Sequence, residues 1–334
     1  MNKIKVSIII PAWHEESIIK DALQALNNLN FNLKKCEIIV IASSDDNTFR
    51  IAKKQAMNKF GRYLILKQKP GGKNTALQQG VKAAKGEIMV LSDADVIVDC
   101  NWLTELIKPI EKKKFVCANG NVFPLLKSWI TPYFMIEKTW ERQIKKSPST
   151  KGNSGIAVKK EITNKIGINV LFNKKIYTGI DHYFGDQILN NGYDICFAEK
   201  AKIFSYYNLT IKGFIKDRLR WKKAYARLIT KKRTFAILAF NLAVILSLLL
   251  FILAFVFSSA LLPAPFIIYF CYLFIQCILV SRVNSNISFL FYFPIYAFLD
   301  LVDRSLTCKV FLGKVLGLKY EKEKKKKHFK GERK

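Results

Sequence analysis

Residues 86–95 read GEIMVLSDAD, and the way this run ends decides the fold. Ile88, Met89, Val90 and Leu91 are continuously apolar over the length of a strand. That is the pattern of a strand covered on both faces, as in a parallel sheet between helices. The run closes in two aspartates, Asp93 and Asp95, separated by one alanine. Both then stand at the carboxyl edge of the sheet, where open α/β sheets bind ligands. A carboxylate pair at a strand end is also common in turns and caps, so its meaning depends on its neighbours.

Outward from this run, strand and helix patterns alternate. KVSIIIP (5–11), CEIIVIA (36–42) and RYLILKQ (62–68) read as strands, and helical patterns follow at 15–29, near 47–58 and from about Asn74 to Ala84. Such alternation implies a doubly wound, mostly parallel α/β sheet with flanking helices. The second hundred residues are less regular. NGNVFP (119–124) looks like a strand end and 128–146 like an aromatic amphipathic helix. GNSGIAVKKE (152–161) reads as a glycine loop entering a strand, and 180–204 as a helix, a turn at Gly192 and a strand.

The composition changes after Arg233. From Phe235 to Val280 almost nothing is charged. As a helix, 235–257 would be roughly 34 Å long at ~1.5 Å per residue, enough to cross a bilayer core. A second apolar run covers 263–281, and the missing charge favours membrane spans over a buried hairpin. The third segment, 287–303, is shorter, contains Pro294 and ends in Asp300 and Asp303. It is expected to be interfacial or re-entrant, with Pro294 interrupting it. The expected organisation is a catalytic domain at 1–207, a basic interfacial helix at 208–233, a membrane region at 234–304 and a basic tail at 305–334.

The formal net charge of the 334 residues is +30. Lysine and arginine crowd 216–233 and the last residues, beside the apolar runs. Basic flanks of this kind read as cytoplasmic anchors on anionic lipid. Nucleic-acid binding is not expected, because no recognised motif accompanies the charge. The first strand begins within a few residues of Met1 without an apolar signal run, so the expected location is the cell membrane with the catalytic domain in the cytosol. Seven cysteines without a CxxC pair argue against a zinc site and a disulfide framework.

The neighbours of the aspartate pair supply the missing context. PAWHEE (11–16) ends the first strand and SSDDNT (43–48) the second; GGKNTALQQGVKAAKGE (71–87) leads into the aspartate pair, with GID (179–181) and DRLRW (217–221) downstream. In order and spacing these resemble family 2 of the glycosyltransferases, inverting nucleotide-sugar enzymes of GT-A fold, over about residues 4–225. The family patterns are PxxNEE, a DGSxDxT-type loop, GKxxALNxG, DAD, ED or DD, and QxxRW.

The resemblance implies roles for particular residues. Pro11, Ala12 and Glu15 would line the base and ribose pocket, with Asp46 matching the later aspartate of the second motif. That motif is one residue short, and the aspartate that reads the nucleotide is missing from it. His14 stands where the family has asparagine. Gly71 and Gly72 would let backbone approach the nucleotide, with Lys73 beside it; the plainer reading of Lys73 is a solvated lysine before a helix. Asp93 would contact the ribose or the water shell of a metal, and Asp95 would hold the metal, Mg²⁺ or Mn²⁺, against the diphosphate. Asp181 would be the base that takes the acceptor proton, although Ile180 replaces the preceding acid. A plain helix cap at Asp181 is the alternative, and Asp186 lies nearby. Trp221 would stack on the acceptor sugar and Arg220 face the diphosphate, unless both simply anchor in headgroups.

The expected activity is therefore an inverting hexosyl or N-acetylhexosaminyl transfer from a nucleotide sugar, a UDP-sugar ahead of a GDP-sugar, to a lipid-linked or polysaccharide acceptor at the membrane. The rivals are a polyprenyl-phosphate sugar synthase and a membrane scaffold that has lost activity. A nucleotidyltransferase would show a long glycine-rich signature after the first strand, and none is present.

Overall fold

The computed structural model describes residues 3–55, 57–144, 155–176, 179–256 and 264–318, and only the backbone of 248–256 and 264–266. The chain forms two units. One takes the described residues up to Leu125 and from 155 to Tyr206; the other takes 126–144 and 207–318.

The first unit begins with β1 (Val6–Ala12), α1 (Ile19–Asn27), β2 (Cys36–Ala42), α2 (Thr48–Lys53), β3 (Arg62–Lys67), α3 (Gly72–Ala83) and β4 (Ile88–Ser92). These are the βα repeats expected from the apolar runs. The strands pair in parallel in the order β3-β2-β1-β4. Successive side chains point to opposite faces. Ile8, Ile10, Ile38 and Val40 therefore enter one core, and Ile9, Ile39, Ile41, Met89 and Leu91 the other. Gly80 of α3 lets that helix lie close on the sheet: a Cβ there would stand 2.3 Å from Ile9 Cγ2. The buried carboxylate of Glu37 is satisfied by Ser7 Oγ at 2.6 Å and Arg62 Nη1 at 2.8 Å.

Beyond β4 the sheet adds antiparallel pairings to the expected parallel ones. β5 (Val96–Val98), α4 (Trp102–Glu111) and β6 (Cys117–Pro124) come before the break into the other unit; β7 (Gly155–Lys159), α6 (Lys160–Ile166), α7 (Ile168–Leu171), α8 (Ile180–Asn190) and β8 (Ile195–Ser205) come after it. β6 and β8 pair in parallel, while β7 runs antiparallel to β4 and β6, and β5 antiparallel to β8, so among the described strands the sheet stays mostly parallel with antiparallel pairings at β7 and β5. The physical reason is connectivity: a parallel partner requires a crossover before each strand, and after β4 the simple βα alternation stops. Helix α4 was not among the expected elements; although Pro109 stands inside it, Trp102, Leu103, Leu106, Ile107 and Ile110 give it a buried face at helical spacing.

In the second unit, α5 (Thr131–Thr139), which runs on into one π-helical turn at Trp140–Ile144, stands with α9 (Ile211–Leu228), α10 (Lys231–Val256), α11 (Ala264–Val283), α12 (Ser288–Phe291) and α13 (Phe293–Val315). Pro294 does not interrupt a helix here. It occupies the first turn of α13, where its missing N–H costs no hydrogen bond, and α13 continues through Asp300 and Asp303. Among the described residues no helix is long and apolar enough to cross a membrane. The expected spans, 235–257 and 263–281, include residues outside that set.

Candidate active site

Because β1, β2 and β4 run parallel, their carboxyl ends share one edge. β7 meets that edge from the opposite direction, with Gly155 paired to Ser92. Four motifs arrive there: Pro11 to Glu16 at the end of β1 and beyond, Ser43 to Thr48 after β2, Gly71 to Asn74 at the start of α3, and Asp93 to Asp95 in the turn between β4 and β5.

The first two loops are laced together. The Ser43 amide donates to Ala12 O at 2.9 Å, the His14 amide to Ser43 Oγ at 3.1 Å, and the Glu15 amide to Thr48 Oγ1 at 2.8 Å. His14 sits at φ +56°, in the left-handed region that asparagine adopts more readily than most residues. This is a backbone reason for the family's asparagine at that position. The His14 ring pairs with the exposed Asp45 at 2.8 Å. Asp46 works inside its loop: Oδ1 accepts from Ser43 Oγ at 2.8 Å and the Thr48 amide at 3.1 Å, and Oδ2 from Thr48 Oγ1 at 2.7 Å. Its carboxylate thereby ties Ser43 to Thr48, the residue that accepts from the Glu15 amide.

The third motif turns on Gly71 at φ +124° and Gly72 at φ +80°, conformations that a side chain would strain. They deliver Lys73 to the aspartates. Its ammonium donates to Asp93, so it is not a lone solvated lysine, although the side chain is 44% exposed. Desolvation alone would lower its pKa. The carboxylates of Asp93, Asp181 and Asp95 outweigh that and raise it. Ala94, between the aspartates, is buried and anchors the turn.

Asp181 arrives from α8. Gly179, in the left-handed conformation, is the N-cap of that helix, and Asp181 stands in its first turn. It is not the cap. Lys73, Asp93 and Asp181 line one hollow with Leu91, Ile156 and Phe172. Asp186, five residues on, is exposed and does not line it.

Two polar residues that the sequence reading passed over hold this geometry. The buried amide of Asn74 donates from Nδ2 to Asn173 O at 2.7 Å and Ile176 O at 2.9 Å, and Gln78, one turn on, donates to Phe172 O at 2.8 Å. The helix that presents Lys73 thereby grips the segment that leads toward Asp181. The signal for this was an Asn–Gln pair at i,i+4 on an otherwise apolar helix face.

Arg220 and Trp221 belong to α9 in the second unit. Arg220 pairs with Asp217 at 3.2 Å, and Trp221 packs edge-on against Phe134 with centroids 6.1 Å apart.

Among the described residues no group of three or more His, Cys, Asp or Glu side chains gathers to hold a metal alone. The donor set at the edge still suits one kind of cation. Three carboxylates around one ammonium leave two negative charges in excess. Mg²⁺ and Mn²⁺ commonly bind through one or two carboxylates, completing their shells with phosphate and water.

The glycosyl transferase family 2 model matches residues 7–179, just over half of the chain. A probable glycosyltransferase of Bacillus subtilis is 25% identical over 241 residues, which is 68% of this chain and 56% of that protein. The poly-β-1,6-N-acetyl-D-glucosamine synthase of Staphylococcus epidermidis is 24% identical over 260 residues, 71% of this chain and 60% of the synthase. The chain thus spans less than two thirds of the length of these relatives. Among solved structures, a Pyrobaculum calidifontis mannosyltransferase in complex with GDP-Man and Mn²⁺ aligns over 92% of this chain and 88% of its own, with a TM-score of 0.58 and 16% identity. That likeness speaks for the fold.

Proposed function

The chain belongs to glycosyl transferase family 2, and from that premise we propose that it is a membrane-anchored inverting enzyme that moves a hexose or N-acetylhexosamine from a nucleotide sugar to a lipid-linked or polysaccharide acceptor. The observation that carries the reading is the meeting of Lys73, Asp93, Asp95 and Asp181 at one sheet edge.

The chemistry follows from those charges. Asp181 takes the proton of the acceptor hydroxyl as its oxygen attacks the anomeric carbon. The bond from that carbon to the diphosphate breaks, and negative charge grows on the leaving group. Lys73, kept cationic by its three carboxylates, would meet that charge as it develops. Asp95 would hold a divalent cation and Asp93 would orient its water shell or the ribose; the cation would supply the charge that offsets the surplus carboxylate and neutralises the departing diphosphate. Pro11, Ala12 and Glu15 would border the nucleoside on the family pattern, with Asp46 bracing the loop through Thr48. Trp221 is assigned to the acceptor sugar and Arg220 to the diphosphate on the family pattern.

Support for the nucleotide-sugar donor comes from the Pyrobaculum enzyme, whose complex holds GDP-Man, and from the N-acetylglucosamine named in the Staphylococcus relative. Support for a membrane location comes from side chains. Phe235, Phe240 and Leu246 of α10, Ile268, Phe274 and Ile275 of α11, and Phe298 and Leu312 of α13 are all exposed. So much apolar surface on one helical unit requires a covering, and lipid supplies it. The basic residues of α9 would then meet anionic headgroups.

The test is to incubate the purified protein in detergent with UDP- and GDP-sugars plus Mn²⁺ and to measure nucleoside diphosphate release. Turnover of at least one donor is expected. No release and no binding across the set, from folded protein, would leave the scaffold reading in its place.

A further inference from the structure

Arg218 is buried inside the second unit, with 8% of its surface exposed. Its guanidinium pairs bidentately with Glu137 of α5, Nη1 to Oε2 and Nη2 to Oε1, each at 2.8 Å. Its Nε donates to Asp303 of α13. Lys222 brings Asp303 a second cation at 2.6 Å. The rings of Tyr133, Phe214 and Trp221 surround the guanidinium carbon at centroid distances of 5.5, 6.0 and 5.8 Å.

Removing this many charges from water is costly, and an apolar residue of similar volume often stabilises a fold as well or better. Stability is therefore a weak reason for the cluster. A bidentate guanidinium supplies something an apolar residue does not, because its plane is fixed as well as its position. Trp221 lies three residues on, on the same face of α9. Its indole packs against that fixed cation and, edge-on, against Phe134, while 39% of the residue stays exposed.

We propose that Arg218 is the positioning residue for Trp221, holding one face of the indole so that the other is presented in a fixed orientation to a sugar ring. The proposal rests on the acceptor role given to Trp221 above. Arg218→Lys keeps the charge but loses the bidentate plane. Glu137→Gln keeps Arg218 but weakens its clamp, and serves if the first variant folds poorly.

The direct readout needs no substrate. Protein carrying 5-fluorotryptophan at its five tryptophans gives fluorine NMR signals, and Trp221→Phe assigns the one that matters. In each folded variant the Trp221 signal should shift or broaden while the Trp102 signal stays in place. An unchanged Trp221 signal in both variants overturns the proposal. In membranes supplied with labelled UDP-N-acetylglucosamine or GDP-mannose, Arg218→Lys should lower sugar incorporation by about tenfold. In a Trp221→Ala background the same change should cost less than about twofold, because a residue that acts through Trp221 has nothing left to position. An equal loss in both backgrounds overturns the proposal. Wild-type incorporation by Trp221→Ala itself would instead remove the acceptor role of Trp221, and the fluorine result would still decide whether Arg218 holds the ring.

Discussion

The side-chain amide of Asn74 donates to the main-chain carbonyl of Ile176 across 2.9 Å, and to that of Asn173 across 2.7 Å. Lys73 and Asp181 come from elements separated by most of the first unit's sequence, and these bonds couple them. Asn74→Ala removes this donor from two carbonyls; Asn173 O keeps the Ile176 amide at 2.9 Å, so the cost of an unsatisfied group, about 1–3 kcal/mol, falls on Ile176 O. We expect a thermal unfolding midpoint several degrees lower, a transfer rate reduced about tenfold, and donor affinity within about threefold of wild type. Calorimetric titration of the nucleotide sugar beside a rate assay checks this; a parallel loss of affinity and rate would mean that Asn74 serves the donor pocket generally.

The two glycines before Lys73 should not be equivalent. A Cβ on Gly71 would stand 2.3 Å from Thr75 Oγ1, whereas one on Gly72 meets nothing within 4 Å. Both positions carry positive φ, so alanine is strained at each, by roughly 1–3 kcal/mol. Only at Gly71 does a clash add to the strain. Gly71→Ala is expected to be the more destabilised of the two in chemical denaturation, and equal midpoints would show that this loop relaxes freely.

The cation prediction follows from the charge surplus at the sheet edge. Asp95→Ala should abolish turnover and metal-dependent nucleotide binding, yet leave the unfolding midpoint nearly unchanged, because a half-exposed carboxylate in a turn contributes little to the core. EDTA should silence the wild-type enzyme, and Mn²⁺ or Mg²⁺ should restore it. Full activity in excess EDTA would remove the metal from the account.

If the exposed side chains of α10, α11 and α13 face lipid, the protein should remain with the membrane fraction through both high salt and alkaline carbonate. Attachment through the basic residues alone would be released by salt, since such contacts are screened within a Debye length of ~3 Å at 1 M. Release by salt would contradict the anchoring.

The parallel half of the sheet was legible because each of its strands is a continuous apolar run followed by a helix pattern, and the edge location of Asp93 and Asp95 followed directly. Of the rest, β6 in part, β7, α8 and β8 were read as elements, but how those strands pair was not legible. β5 is three residues long, and β7 finds β4 across a long stretch of chain, a pairing that no local pattern encodes. Pro294 suggested a break where it starts a helix. Lys73, Asp93 and Asp181 were legible as separate motif residues. The parts that fix their geometry, Asn74, Gln78 and the Ser43–Asp46–Thr48 lacing, were not, because polar side chains that serve main-chain groups look in sequence like any other polar residues. Arg218 was obscured in the same way by the basic residues around it.

The central claim is that Asp181 completes one catalytic centre with Lys73, Asp93 and Asp95, and one variant tests it most directly. Asp181→Asn keeps the shape and much of the hydrogen bonding but cannot accept a proton. The measurement is its single-turnover transfer rate with donor bound at saturation, beside that of Asp186→Asn. The account predicts a fall of about 10²-fold or more for Asp181→Asn, with donor affinity retained, and a rate near wild type for the exposed Asp186 variant. Wild-type transfer by Asp181→Asn, or a dead Asp186→Asn beside it, would contradict the account.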